Sequence, residues 1–240
     1  CLLTGFWVVI YFLGYLPGFD TLAIPTFAAI EKPTIQVLGM SFLAAYTFFM
    51  ALVSLYDALR KDEAVNVMPI IGAVSALATL ILSYVFLEIY LSPNFVWGVI
   101  ILIIGTLLVA QILPDRYTVL TIIHSGFFFG LHYITMKGLF LETSFEDGFF
   151  WSRISLVLFA LSLLMVPTYF KKITEQTRQT EEKARVGALV FVAKILAGIS
   201  AFLLLKATDL GDVTVVQALD GLKFVFILFI TVLFGRMLPN

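Results

Sequence analysis

The sequence predicts an all-α polytopic bundle of eight membrane helices. Hydrophobic residues make up 61% of the 240-residue chain and charged residues only 13%, whereas a soluble domain averages about 45–50% and about 25%. The apolar residues form blocks of sixteen or more rather than one face of each helix, which is typical of segments surrounded by lipid. Helices are the expected elements because backbone polar groups in lipid must be satisfied within their own segment.

Charged residues, prolines and glycines close the apolar blocks and divide the chain into eight predicted segments. These are residues 2–17, 34–58, 64–87, 94–113, 117–139, 148–169, 186–208 and 213–236. The longest connections, 18–33 and 170–185, are too short to form a soluble domain, so function is expected in or between the helices. The first segment is short for a membrane span, which suggests that the chain is trimmed.

The two halves of the chain show an internal repeat. A shift of 149 residues lays 56–67 over 205–216, so that a helix end, a polar hairpin and a new apolar helix coincide, and Gly72 falls on Gly221. If the repeat unit has five helices, the natural protein has ten. In this chain the first repeat, 1–113, then lacks its first helix, and the second repeat, 114–240, lacks its last. Because five is odd, the two repeats would cross the membrane in opposite senses and so be inverted, as in many secondary transporters. Chance similarity between apolar helices is the alternative.

Several stretches of the first half carry a recognisable pattern: Tyr56-Asp57-Ala58-Leu59, residues 64–70 with Pro69, Phe86-Leu87-Glu88, Gly98 and Gly105. Their order and spacing resemble the EamA repeat of the drug/metabolite transporter superfamily. The resemblance implies a secondary transporter of small organic metabolites working by alternating access, with amino-acid-like or other anionic compounds as candidate substrates. The second half departs from the pattern, because Gln217-Ala218 stands where Met68-Pro69 stands in the first.

Other classes of function fit the composition poorly. A net charge of −1 leaves no basic surface for nucleic acid, and the single cysteine excludes a disulfide framework. Tyr56-Asp57 and residues 209–212 look like the motif pair of intramembrane aspartyl proteases, but counted crossings put Asp57 and Asp212 on opposite sides of the membrane. We therefore expect neither an enzyme nor a cofactor or metal site. A non-transporting membrane scaffold or assembly subunit is the alternative.

Charged residues at bilayer depth are the first candidates for a substrate site. Lys194 lies within the seventh segment, and Gln217, Asp220 and Lys223 follow an i, i+3, i+6 spacing along one face of the eighth. Two ammonium groups near one carboxylate would leave surplus positive charge, which suits a carboxylate- or phosphate-bearing substrate. In the alternative interpretation, Asp220 and Lys223 neutralise each other while Lys194 snorkels to a surface.

Two further residues are predicted to bind substrate. His132 on the fifth segment could relay protons at the substrate site, although a neutral histidine hydrogen-bonded between helices is the common alternative. Tyr56 could face the cavity, although aromatic residues near helix ends more often form interfacial belts. Glu88 is expected to end its helix, and Arg153 to anchor an anion or the membrane interface.

The expected partners are a small-molecule substrate and the lipid bilayer, with no nucleic acid, and a homodimer stays open. We expect an integral protein of the cell membrane, either inner or plasma membrane. The positive-inside rule makes the 170–185 loop cytoplasmic, because nine Lys and Arg residues lie on its side and four on the other. The family resemblance implies the opposite orientation.

Overall fold

A computed structural model describes residues 30–108, 115–165 and 184–224, together with Phe226 and Phe229. Within these ranges there are seven helices and no strand, which confirms the all-α class. The helices are α1 Ile35–Leu59, α2 Ala64–Phe86, α3 Pro93–Leu108, α4 Arg116–Glu142, α5 Phe145–Leu164, α6 Ala184–Leu210 and α7 Val213–Asp220. The predicted first segment and most of the 170–185 loop lie outside the described residues, so the count of eight stays a prediction.

The length and composition of the helices fit an integral membrane protein. Among the described residues, four stretches are long and apolar enough to cross a membrane, namely Ile35–Lys61, Ala64–Phe86, Arg116–Glu142 and Phe191–Leu210. Large apolar side chains on these helices are exposed, including Ile81, Leu120 and Leu196. Lipid would cover such side chains without the free-energy penalty that water imposes.

The described residues belong to two compact units, and each unit draws on both halves of the sequence. The first unit comprises the described parts of 1–46 and 139–206, and the second those of 47–138 and 207–240. This division differs from the predicted repeats 1–113 and 114–240. Compact units reflect packing rather than internal symmetry, so the repeats stay a prediction.

The first unit is organised by aromatic side chains. Phe145, Phe149 and Phe202 form a cluster with ring centroids 5.3–5.7 Å apart. The Lys206 ammonium lies 4.1 Å from the centroid of the Phe145 ring, and the Arg153 guanidinium lies 4.9 Å from that of Phe149. Cations are attracted to the faces of aromatic rings, so this cluster accommodates two positive side chains among apolar neighbours.

In the second unit, α2 and α4 cross at two glycines. A Cβ atom at Gly126 would lie 2.6 Å from the Val74 Cβ, and one at Gly130 would lie 2.7 Å from the Ala78 Cβ. Both distances are far below an ordinary carbon–carbon contact of about 3.5–4.0 Å. The small residues at i and i+4 on α4 therefore permit a close helix approach, as in the packing of many membrane helices.

A left-handed residue follows the end of α2, and a side-chain cap marks the start of α7. The residue after the α2 cap, Glu88, has a φ of 52°, a left-handed conformation that takes the chain out of the helix. Glu88 thus occupies the helix-ending position that the sequence predicts. At the start of α7, the Asp212 carboxylate accepts hydrogen bonds from the backbone N–H groups of Thr214 and Val215, at 2.8 and 3.3 Å. This N-cap satisfies two amides that have no partner within the helix.

Candidate functional site

A small polar cavity lies in the second unit, where α2, α4 and α7 pack together. Its volume is about 100 Å³. The polar residues that line it are Ser75, Tyr133, Gln217, Asp220 and Lys223, and the others are Leu55, Met68, Ile71, Gly72, Phe129 and Phe224. Three of the residues predicted to bind substrate, those on α7 and the turn that follows it, therefore line one cavity.

Two buried polar atoms of this cavity have no hydrogen-bond partner among the described residues. They are the Gln217 Nε2 and the Ser75 Oγ, and the two residues are only 5% and 4% exposed. An unsatisfied buried donor or acceptor costs about 1–3 kcal/mol, so native structures usually satisfy such groups. The amide and the hydroxyl are therefore available to a ligand or to water in the cavity.

Asp220 and Lys223 form an ion pair along the same helical face. Their side chains are 28% and 48% exposed, so the pair lies at the open part of the lining while Gln217 is buried. This is the mutual neutralisation that the sequence leaves open as an alternative. Surplus positive charge at the cavity would therefore have to come from a third residue.

Packing between α2 and α7 holds the cavity in place. The hydroxyl groups of Ser83 and Thr214 are hydrogen bonded at 3.0 Å, which joins the end of α2 to the start of α7. At the other end of the contact, a Cβ on Gly72 would lie 3.0 Å from the Phe224 ring. The absence of a side chain at position 72 lets this aromatic ring close one wall of the cavity.

The remaining predicted residues lie elsewhere. His132 is buried, with its ring centroid 5.0 Å from that of Phe48 and 5.3 Å from that of Tyr133, so it borders the cavity through Tyr133 without lining it. Tyr56 is exposed and lines a different cavity between α1 and α4. Lys194 is exposed on α6 in the first unit, and its role at the site stays a prediction.

The sequence interpretation did not identify two important polar residues, Ser75 and Lys137. Ser75 belongs with Thr79 and Ser83 to a buried i, i+4, i+8 stripe on α2, and this spacing was available as a signal. Lys137 is buried, and its Nζ donates hydrogen bonds to the carbonyl oxygens of Asp209 and Gly211, at 2.8 and 2.9 Å. A cation at a helix C-terminus is favourable, so Lys137 stabilises the turn between α6 and α7.

Among the described residues, no group of three or more His, Cys, Asp or Glu side chains could hold a metal ion. A scan against protein families finds no match, and neither do searches of curated proteins and of solved structures. The functional argument therefore rests on the geometry of the cavity and on the chemistry of its lining.

Proposed function

We propose that the protein is a secondary transporter of small organic metabolites, and that it binds them at the cavity between α2, α4 and α7. One observation carries the proposal: an unpartnered buried amide and an unpartnered buried hydroxyl line the same cavity. They do so beside an ion pair and within a bundle of apolar helices. Polar and ionisable groups inside membrane helices are costly and commonly mark a substrate or ion pathway.

The lining determines which chemical groups fit. The Gln217 amide donates to an acceptor, and the Ser75 hydroxyl donates or accepts. The ion pair between Asp220 and Lys223 adds no net charge to the lining. A carboxylate or a similar compact oxygen-bearing group satisfies both the amide and the hydroxyl. A volume of about 100 Å³ corresponds to about three water molecules, so this conformation accommodates the polar head of a substrate. A larger body would enter when the helices move during alternating access.

One helix boundary supports the proposed repeat. α2 begins at Ala64 and α7 at Val213. The later helix begins 149 residues after its counterpart, the same shift that aligns the sequence. We include in the proposal an arrangement like that of the EamA family, with two inverted repeats of five helices and a location in the inner or plasma membrane.

Transport by the reconstituted chain tests the proposal. Proteoliposomes containing the protein are assayed for uptake against a panel of carboxylate-bearing metabolites, first with the unmodified chain and then with Gln217→Leu. We expect at least a tenfold loss of uptake, because a hydrogen bond to a charged group contributes about 1.5–3 kcal/mol. Gln36→Leu is the matched control, since Gln36 is exposed on the first turn of α1.

The outcomes separate the alternatives. If a correctly folded chain takes up none of the compounds, the result would favour a scaffold or assembly subunit. Equal uptake by the Gln217 and Gln36 variants would remove the cavity from the mechanism. Lys194→Met tests the predicted surplus positive charge separately. Loss of transport in this variant supports an anionic substrate, whereas normal transport leaves only the cavity lining to select the substrate.

A further inference from the structure

A second and larger cavity lies between the C-terminal part of α1 and the N-terminal half of α4. Its volume is about 690 Å³, and it shares no lining residue with the first cavity. The lining residues are Val53, Ser54, Tyr56, Asp57, Arg60, Leu120, Thr121 and His124, and we call this cavity the α1–α4 groove. Six of these eight residues are polar, although the groove is flanked by apolar helix surfaces.

Of the two charged residues that line the α1–α4 groove, only the acidic one has an ion-pair partner among the described residues. The Lys61 ammonium donates a hydrogen bond to the Asp57 carboxylate at 2.6 Å, so the single acidic residue of the lining has a basic partner outside it. Arg60 is exposed, and its guanidinium makes no ion pair with any described residue. The groove therefore presents an uncompensated positive charge, as a site for an anion does.

A hydrogen-bond relay orients His124 in the groove. The Ser54 hydroxyl donates to the Met50 carbonyl oxygen at 3.0 Å, and the Ser54 Oγ lies 2.6 Å from the His124 Nδ1. Since a hydroxyl has one hydrogen, both bonds form together only when Nδ1 carries a proton and donates it to Ser54. When Nε2 also carries a proton, the ring offers a second N–H donor to an anion in the groove.

An apolar stripe continues from this polar end along α4. Leu120, Ile123 and Phe127 follow an i, i+3, i+7 spacing and are 65%, 45% and 43% exposed, so they form one outward face of the helix. Tyr56 and Tyr117, both exposed, flank the polar end, where aromatic residues commonly lie at the membrane interface. The surface thus changes from cationic to apolar along the helix axis.

We propose that the α1–α4 groove binds an anionic phospholipid, with the phosphate at Arg60 and His124 and an acyl chain along Leu120, Ile123 and Phe127. The uncompensated guanidinium and the doubly protonated imidazole donate to phosphate oxygens, and the tyrosine and threonine hydroxyls can donate to the remaining ones. The apolar stripe requires a ligand that carries its own hydrocarbon. This proposal is independent of transport, because the two cavities share no residue.

Binding of phosphatidylglycerol to the full chain in detergent, measured by native mass spectrometry, tests the proposal. Phosphatidylcholine, whose head group has no net charge, is the comparison lipid. We expect tighter binding of phosphatidylglycerol, and about a tenfold loss of this affinity in Arg60→Gln. The matched control is Arg116→Gln, which removes the same charge from an exposed arginine at the start of α4 and should leave the affinity unchanged.

Two more measurements identify the ligand. Leu120→Ser should weaken phosphatidylglycerol binding severalfold, whereas Leu196→Ser, at an equally exposed leucine of α6, should not. Inorganic phosphate at millimolar concentration should fail to displace the lipid. Equal effects of the two arginine variants would refute a specific site, and full displacement by inorganic phosphate would show that the groove binds a free anion instead.

Discussion

Replacement of Gly130 by alanine should destabilise the protein at the crossing of α2 and α4. The new Cβ would lie 2.7 Å from the Ala78 Cβ, 3.0 Å from the Ser75 carbonyl oxygen and 3.2 Å from the Thr79 nitrogen. Compared with a normal contact of about 3.5–4.0 Å, the helices overlap by about 1 Å. Two of the three neighbours are backbone atoms, which cannot rotate away, so the helices themselves have to separate.

The expected magnitude follows from a matched pair of variants. Overpacking typically costs about 1–3 kcal/mol, while alanine gains up to about 1 kcal/mol over glycine within a helix. Gly105→Ala on α3 receives the same gain without a clash, because a Cβ there meets nothing within 4 Å. We therefore expect Gly130→Ala to be less stable than Gly105→Ala by about 1–3 kcal/mol.

Reversible unfolding in mixed micelles, followed by circular dichroism, measures this difference. In an Ala78→Gly background, which carries its own glycine cost of up to about 1 kcal/mol, Gly130→Ala should cost less stability than in the unmodified chain. The nearest methyl group is then absent, while the two backbone contacts remain. Equal stability of Gly130→Ala and Gly105→Ala would refute the close crossing. An equal cost of Gly130→Ala in both backgrounds would show that the backbone contacts, rather than the facing methyl groups, account for the loss.

Two further predictions concern helix ends. Lys137→Met should lower the free energy of unfolding by about 2 kcal/mol, because two carbonyl oxygens at the end of α6 lose a charged donor. The control variant Lys61→Met breaks an exposed ion pair and should change the free energy of unfolding by less than about 1 kcal/mol. The same unfolding assay measures both, and equal effects would contradict a capping role for Lys137. Glu88→Gly should raise the free energy of unfolding by about 1 kcal/mol, because glycine adopts a φ of 52° without the penalty that a side chain carries. Glu88→Val should lower the free energy of unfolding. Proteoliposome uptake should be unchanged in Glu88→Gly, and a loss of transport there would show that the carboxylate does more than end α2.

The sequence predicted the helices well because their signals are local. Long apolar blocks indicate membrane helices by length alone, and the predicted starts of α1 and α2, at 34 and 64, lie within one residue of Ile35 and Ala64. The face shared by Gln217, Asp220 and Lys223 was also predictable, since spacing along one helix determines it. The Glu88 helix end followed from the position of the charge after an apolar run.

Tertiary packing decided which residues meet across helices, because the spacing along one segment carries no information about its neighbours. Apolar blocks are nearly uniform in hydrophobicity, so they do not reveal which face of α2 packs on α4, and the glycines that permit this crossing look like any others in the sequence. For this reason the sequence did not predict that Ser75 and Gln217 line one cavity, that Tyr56 lines another, or that Lys137 caps a helix. Helix content is encoded residue by residue, whereas a binding site depends on distances between segments far apart in the chain.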